Sequence, residues 1–148
     1  MEIVSSTTVS TAVPPALLAF PKNLELELMR DARGLPLRNR SGHQLYRLTA
    51  EFIYVCILTG ATYTVPAGFV TDFASIPQAL SNIFGDIAQE PAVIHDYLYS
   101  TGIVAREIAD KILKEACTVT EEKAWKIALI YAGVRVGGAG HFNSDYTT

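Results

Sequence analysis

Apolar and polar residues alternate in the first half of the chain, as they do in half-buried β-strands. Positions 24–29, LELELM, alternate leucine with glutamate. Positions 44–58 are rich in β-branched and aromatic side chains and show little helical periodicity. They predict one long strand, or two strands with a bend near Ala50 and Glu51. The N-terminal half is therefore expected to form a sheet.

Two connections separate these strands from their neighbours. Positions 30–43 are rich in arginine, glycine and proline, and predict a turn or a long hairpin connection. A tight turn is expected at 59–60, after which 61–69 returns as another strand with Pro66 at its edge or exit.

The second half of the chain has the spacing of amphipathic helices. We expect a short helix over 75–84, a second over 91–101 and a third over 104–117. Thr118 and Glu121 have the spacing of a capping box, which predicts that a last helix begins there. A pair of glycines ends this last helix.

Strands followed by helices are the order of an α+β fold. We expect an N-terminal antiparallel sheet of about three to five strands, with three or four C-terminal helices packed on one face. Residues 1–22, rich in Ser, Thr and Val and then in Pro, predict an extended N-terminal arm, and 23–148 a single domain. A chain of 148 residues is long enough to bury a core without disulfides. Cys56 and Cys117 are therefore interpreted as small buried hydrophobic residues.

Composition excludes several classes of partner. The net charge is −3 and no block of like charges occurs, whereas a nucleic-acid surface needs a basic face. The longest uninterrupted apolar run is 52–58, far short of the roughly 20 residues of a membrane span. The first residues lack the apolar stretch of a secretory signal. We expect neither a nucleic-acid nor a membrane partner.

Asp72 is the first candidate for chemistry. It lies in 65–77, VPAGFVTDFASIP, after a predicted strand and before a predicted helix start. Loops at such places position functional groups on rigid elements. The Asp72 carboxylate can cap the helix that begins near Ser75, or belong to a site, and the two roles are compatible.

His95 and Asp96 are the next candidates, since imidazole beside carboxylate serves acid–base chemistry or metal binding. Adjacent residues on a helix diverge by about 100°, so these two cannot both face one metal at ideal geometry. The apolar face of their helix is expected to pass through four other residues: Val93, Ile94, Tyr97 and Leu98. His95 and Asp96 are thus expected to point towards solvent or towards another element.

Arg106 and Asp110 are four residues apart, on one face of a predicted helix. The simplest interpretation is an exposed ion pair of little consequence for stability. The alternative is that Asp110 or Arg106 reaches the space between Asp72 and His95. Tyr99 either offers its hydroxyl there or packs in the core.

A metal site would need ligands from several of these segments. Asp72, His95 and His141 together supply enough ligands for a divalent metal such as zinc, and the alternative is that the protein has no cofactor. Phosphate-binding glycine loops, GxSxG elbows and CxxC pairs are absent from the sequence.

Four segments carry a family resemblance: VPAGFVTDFASIP, AVIHDYLY, AREIADKILKEA and ALIYAGVRVGG. In order and spacing they resemble the signature blocks of the domain-of-unknown-function family 1353, found mainly in tailed bacteriophages and prophages. The resemblance covers about 52–138. Gln78 differs from the basic residue common after SIP, and GAGHFN replaces the usual aromatic ending.

The resemblance implies a phage origin and no particular activity, because the family has no settled one. It also implies that the residues inside the blocks matter to the fold or to a site of the family. These residues are Asp72, Ser75, His95, Asp96, Arg106 and Asp110.

Three functions are compatible with these observations. The first is a virion component at the tail or baseplate, or a capsid accessory, whose partners are other phage structural proteins or further copies of itself. The second is a small hydrolase of the bacterial cell wall, with His95 as base or ligand, Asp72 as ligand or orienter, and Asp96 or Asp110 in support. The third is an inhibitor of host defence. The protein is then expected in the phage particle or the host cytoplasm.

Overall fold

The computed structural model describes residues 12–73, 88–120, 122–140 and 142–143. Strands come first and the longer helices after them. The strands are β1 (Leu26–Leu28), β2 (Tyr46–Leu48), β3 (Phe52–Val55), β4 (Thr62–Val65) and β5 (Val70–Thr71). The helices are α1 (Pro15–Ala19), α2 (Gln89–Thr101), α3 (Arg106–Val119) and α4 (Ala124–Gly137), followed by a 3-10 turn at Gly138–Gly140.

The strands form two antiparallel sheets, and the predicted α+β class is confirmed. One sheet has the order β1-β2-β5, and the other is the β3-β4 hairpin. The long apolar stretch 44–58 therefore forms two strands, as the alternative with a bend near Ala50 and Glu51 predicted. The strand is interrupted there because β2 and β3 pair in different sheets.

The connection at 30–43 is a long hairpin with two tight turns. Single bridges at Arg30–Pro36 and Arg38–Gln44 each close one of these turns, so that 36–38 pairs with the end of β1 on one side and with the residues before β2 on the other. At the tip, the Asn39 side-chain oxygen accepts hydrogen bonds from two backbone N–H groups, those of Ser41 and His43. This Asx-type geometry holds the tip in one conformation.

The described part of the predicted N-terminal arm, residues 12–22, contains a short helix. Pro15 occupies the first position of α1, where its fixed φ angle suits a helix and its missing N–H is not needed. Ala19 and Phe20 are buried, and the Phe20 ring stacks on Phe52 with 5.4 Å between ring centroids. Burial of this aromatic ring holds residues 15–20 against the sheet.

Three of the predicted helices are confirmed with shifts of their ends, the last of them as α4. α2 begins two residues before 91 and ends before Gly102, whose φ of +62° suits glycine. α3 begins and ends two residues later than the predicted 104–117. The capping box is wrong: Thr118 lies in the last turn of α3 and donates to the Lys114 carbonyl. The predicted helix at 75–84 lies outside the described residues.

Two apolar clusters form the core. The larger joins the sheets to α2 and α3, and the smaller joins the start of α2 to α3 and α4. Cys56 and Cys117 are both buried and free, as predicted. Burial raises the pKa of the Cys117 thiol to about 12. In the described ranges, no helix is long and apolar enough to cross a membrane.

Candidate functional site

Helix α2 carries His95 and Asp96 into the interior of the protein. Both are about 1% exposed, although neither lies on the apolar face predicted for this helix. They point towards other elements rather than towards solvent, which selects one of the two directions left open by the sequence. Buried polar side chains need partners, and these two find them on different elements.

The partner of His95 is Asp110 on α3. The His95 Nε2 lies 2.7 Å from Asp110 Oδ1, and the Tyr99 hydroxyl donates to the same oxygen at 2.6 Å. The Arg135 Nη1 donates to Asp110 Oδ2 at 2.7 Å. Because an ionised carboxylate only accepts, the His95 ring donates its Nε2–H in this arrangement. Asp110 thus receives three donors from two other helices.

Arg106 completes this cluster without touching the Asp110 carboxylate. Its Nε donates to the Tyr99 hydroxyl at 3.3 Å, and its Nη2 donates to the carbonyls of Val134 and Arg135 at 2.8 and 2.6 Å. A guanidinium at these carbonyls satisfies the end of α4 and complements its dipole. We call Asp110, His95, Tyr99, Arg106 and Arg135 the Asp110 network.

The exposed Arg106–Asp110 ion pair expected as the simplest interpretation is therefore wrong. Asp110 is fully buried, and its cationic partner is Arg135. Of the expected alternatives, Asp110 is the residue that reaches His95. The two roles considered for Tyr99, core packing and a hydroxyl contact, occur together: its ring packs in the core and its hydroxyl binds Asp110.

The environment sets the protonation of the network. Burial alone would raise the pKa of Asp110, but hydrogen bonds from His95, Tyr99 and Arg135 hold it below its ordinary value. Burial lowers the pKa of His95 despite the neighbouring carboxylate. Burial and Asp110 together raise the pKa of Tyr99 to about 12. At neutral pH the network therefore contains a carboxylate, a neutral imidazole and a protonated phenol.

Sequence reasoning missed Arg135 and a nearby glycine. Arg135 is the one charged residue in the otherwise apolar stretch 127–138, and this is the signal that could have identified it. A Cβ added at Gly138 would lie 2.5 Å from the Tyr99 hydroxyl oxygen. Gly138 is needed for this close approach, which explains the second glycine of the pair at the end of α4.

Asp96 binds Thr71 on β5. Thr71, on β5, is fully buried, and its hydroxyl donates to Asp96 Oδ2. The same hydroxyl oxygen accepts the backbone N–H of Phe73 at 3.2 Å. Phe73 has a positive φ of +56°, which is uncommon outside glycine. The Thr71 hydroxyl thus joins the strand exit to α2.

Asp72 faces the hairpin connection at 30–43. Its Oδ2 accepts from Asn39 Nδ2 at 2.8 Å and lies 3.5 Å from His43 Nδ1. In the contacts between described residues, Asp72 therefore bonds to the 30–43 connection and His95 to α3. The expected cap on the helix near Ser75 involves residues outside the described ranges.

The structure tests the suggested metal site only in part. His141, the third ligand suggested with Asp72 and His95, is not among the described residues, so that set stays a prediction. Among the residues that are described, no group of three or more His, Cys, Asp and Glu side chains could hold a metal ion.

The fold and the network define a small α+β protein with a buried polar centre shared by three helices. The family model "Protein of unknown function (DUF1353)" matches residues 46–134, more than half of the chain. The protein belongs to this family, as the four sequence blocks indicated. The matched span contains His95, Tyr99 and Asp110, whereas Arg135 lies one residue beyond it. No curated protein and no solved structure matches the chain.

Proposed function

We propose that the protein is a structural component of a bacteriophage particle, located at the tail or baseplate or as a capsid accessory, where it docks on other phage structural proteins. The phage context comes from the family resemblance. Exposed apolar side chains on α1 carry the docking role: Leu17 and Leu18 are each 59% exposed, next to the buried Ala19 and Phe20. An arm held by a buried ring, with leucines directed outwards, suits attachment to a larger assembly.

The β3–β4 turn provides a second pair of exposed apolar residues. Ile57 is 78% exposed and Leu58 is half exposed. Their backbone N–H groups donate to the two oxygens of the Glu115 carboxylate at 2.9 and 2.8 Å. Glu115 also accepts from the hydroxyl of Tyr54, whose ring contacts Phe20. Tyr54 thus links the two apolar pairs, through Phe20 to the first and through Glu115 to the second.

The Asp110 network supports a structural role. Its polar atoms bind one another, and it joins α2, α3 and α4. Buried networks of this kind specify a unique packing when every member is satisfied. A rigid framework is what an assembly component needs to present its docking side chains in one orientation.

The test is whether the protein enters phage particles. Mass spectrometry of purified particles should detect the wild-type protein at a constant ratio to a major capsid or tail protein. The double variant Leu17→Ser and Leu18→Ser should fold but be depleted at least tenfold. Leu35→Ser, an equally polar change at an exposed leucine of the hairpin, should be incorporated normally. Particles that lack the wild-type protein would overturn the proposal.

The second candidate is a hydrolase of the bacterial cell wall, which the His95–Asp110 pair favours. A buried carboxylate that holds an imidazole in one tautomer is the arrangement that prepares a general base. In this role Asp110 orients His95, and the supporting carboxylate is either Asp72, directly after β5, or Asp96 on α2. The metal-assisted form of this hydrolase depends on the ligand set that includes His141.

His95→Gln tests this candidate, because glutamine can donate to Asp110 but cannot exchange a proton. Release of soluble fragments from purified peptidoglycan should disappear in His95→Gln and fall in Asp72→Asn. Circular dichroism should show both variants folded. Equal release by the wild type and His95→Gln would exclude His95 as the base.

A further inference from the structure

Helix α4 is apolar on its outer side as well as on its inner side. The inner side, with Ile127, Ile130 and Val134, is buried. On the outer side Trp125 is 48%, Leu129 44% and Val136 87% exposed, and three alanines are exposed beside them: Ala124, Ala128 and Ala132. A helix that is apolar all round is normally covered on all sides.

The spacing of the outer residues identifies what covers them. Trp125, Leu129, Ala132 and Val136 are separated by four, three and four residues, the spacing of a heptad seam. These intervals are the same from either end. A two-fold interface requires one surface to match itself. We propose that the outer face of α4 is the contact of a homodimer in which the two α4 helices run antiparallel.

The antiparallel register pairs large side chains with smaller ones. Trp125 packs against Val136 of the partner subunit, and Leu129 against Ala132 of the partner subunit. The exposed alanines allow the two helix axes to approach to about 8–10 Å. Insertion into a lipid surface would instead favour bulky apolar residues along the whole face, so the alanines favour a second copy of the chain.

The charges beside the seam are compatible with pairing. The seam itself has no ionisable residue, and Lys126 Nζ lies 5.8 Å from the centroid of the Trp125 ring, beside the seam. Lys114 lies in the same way over Tyr131. Arg135 turns inwards to Asp110. Pairing of the outer faces therefore buries no unpaired charge, which would be costly.

The size of the face predicts a weak dimer. Fourteen residues give α4 a length of about 21 Å. One helix face of this length supplies less than the roughly 800 Å² per subunit of a standard stable interface. We therefore expect a reversible dimer with a dissociation constant on the order of 10–100 μM, well above the nanomolar range of many stable complexes.

The inner side of α4 fixes the direction of the seam. Arg135 binds Asp110 on α3, and Arg106 binds the last carbonyls of α4. These contacts prevent the helix from rotating about its axis. The outer face is thus presented in one orientation, which lowers the entropic cost of association.

Sedimentation velocity of the full chain over roughly 1–500 μM is the first test. The wild type should shift from monomer to dimer, and Leu129→Glu should remain monomeric over the whole range. Ile103→Glu, a matched change at an exposed residue outside α4, should dimerise as the wild type does. A monomeric wild type at 500 μM, or a dimer unchanged by Leu129→Glu, would overturn the proposal.

Disulfide trapping tests the antiparallel register. A mixture of Trp125→Cys and Val136→Cys should cross-link between copies. Trp125→Cys alone should not, because its two sulfur-bearing positions would be about 16 Å apart along the seam. Cross-linking of Trp125→Cys with itself would show a parallel pair and contradict this register.

Trp125 is the only tryptophan, so its fluorescence distinguishes other occupants of the face. The emission maximum should move to shorter wavelength as the dimer forms. A blue-shifted emission at all concentrations in a monomer would mean that the chain covers its own seam, and the proposal fails. A shift that appears only with phosphatidylglycerol vesicles would assign the face to lipid and also overturn it.

Discussion

His95 and Asp110 are in direct contact inside the protein, with 2.7 Å between Nε2 and Oδ1, and neither side chain is more than 1% exposed. The contact joins α2 to α3. Arg135, on α4, supplies the positive charge that balances the carboxylate. Three helices thus depend on one buried anion, and this dependence leads to the first prediction.

Asp110→Asn should destabilise the protein strongly. It keeps the size of the side chain but removes the charge that three donors face. Breaking a buried charge pair by removing one partner typically costs about 3–5 kcal/mol, and we expect a loss of that order in the free energy of unfolding. Urea denaturation followed by circular dichroism measures it.

Glu107→Gln is the matched control on the same helix. Glu107 pairs with Lys111 at 2.9 Å on the exposed side of α3. Exposed pairs of this kind contribute little to stability, so this variant should unfold at the urea concentration of the wild type. Equal losses in the two variants would contradict the assigned importance of Asp110.

The pKa shifts of the network predict a loss of stability in acid. Burial lowers the pKa of His95. As the pH falls through the unfolded histidine pKa of about 6.5, the unfolded chain binds more protons at this position than the folded chain does, so stability falls. The pKa of Asp110 is also lowered, so its contribution is complete above about pH 3.9 and is lost as the pH falls further.

Melting temperatures from pH 8 to pH 4.5 test this expectation. The wild type should lose stability as the pH falls through 6.5. His95→Gln has no imidazole to protonate at this position, so its melting temperature should fall less over the same range. If the two proteins have the same slope, His95 is not the group responsible.

Removal of the Thr71 hydroxyl should lower the free energy of unfolding by more than the small size of the group suggests. Thr71→Val keeps the shape of the side chain but removes a donor to the buried Asp96. An unsatisfied buried group costs about 1–3 kcal/mol, and we expect that loss in the free energy of unfolding. Thr71→Ser retains the hydroxyl and should recover most of the difference between Thr71→Val and the wild type. Equal stability of Thr71→Val and wild type would contradict the role of this bond.

The general fold could be predicted because it depends on local patterns. The leucine–glutamate alternation of 24–29 and the spacing of α3 are decided by which side of an element faces the core. The short helix α1 was missed because tertiary burial of Phe20 stabilises it, and no local signal marks that burial. Thr118 and Glu121 matched a capping box by spacing alone, while Thr118 still lies in the last turn of α3.

The sequence identified the polar residues of the site better than it identified which of them bond to each other. The sequence directed attention to Asp72 and His95, whereas the hydrogen bond between β5 and α2 joins Thr71 to Asp96. Successive side chains of a strand point in opposite directions. Thr71 therefore faces α2 while Asp72 turns to the hairpin at Asn39. Such choices depend on neighbours that lie far away in sequence, which a single sequence does not specify.

The contact between Gly138 and Tyr99 gives the last prediction. Gly138→Ala should destabilise the protein, because the added Cβ would lie 2.5 Å from the Tyr99 hydroxyl oxygen. The clash forces either the ring or the end of α4 to move, and overpacking of this kind typically costs about 1–3 kcal/mol. Gly137→Ala is the matched control, since nothing lies within 4 Å of its added Cβ. Thermal unfolding should show a loss in Gly138→Ala only.

A double-mutant cycle identifies the clashing atom. Tyr99→Phe removes the hydroxyl oxygen and its hydrogen bond to Asp110, so it should destabilise the protein when made alone. In the double variant with Gly138→Ala, the nearest obstacle to the new methyl group is gone. The loss should then be smaller than the sum of the two single losses. Strict additivity would mean that Gly138 does not owe its identity to the Tyr99 hydroxyl.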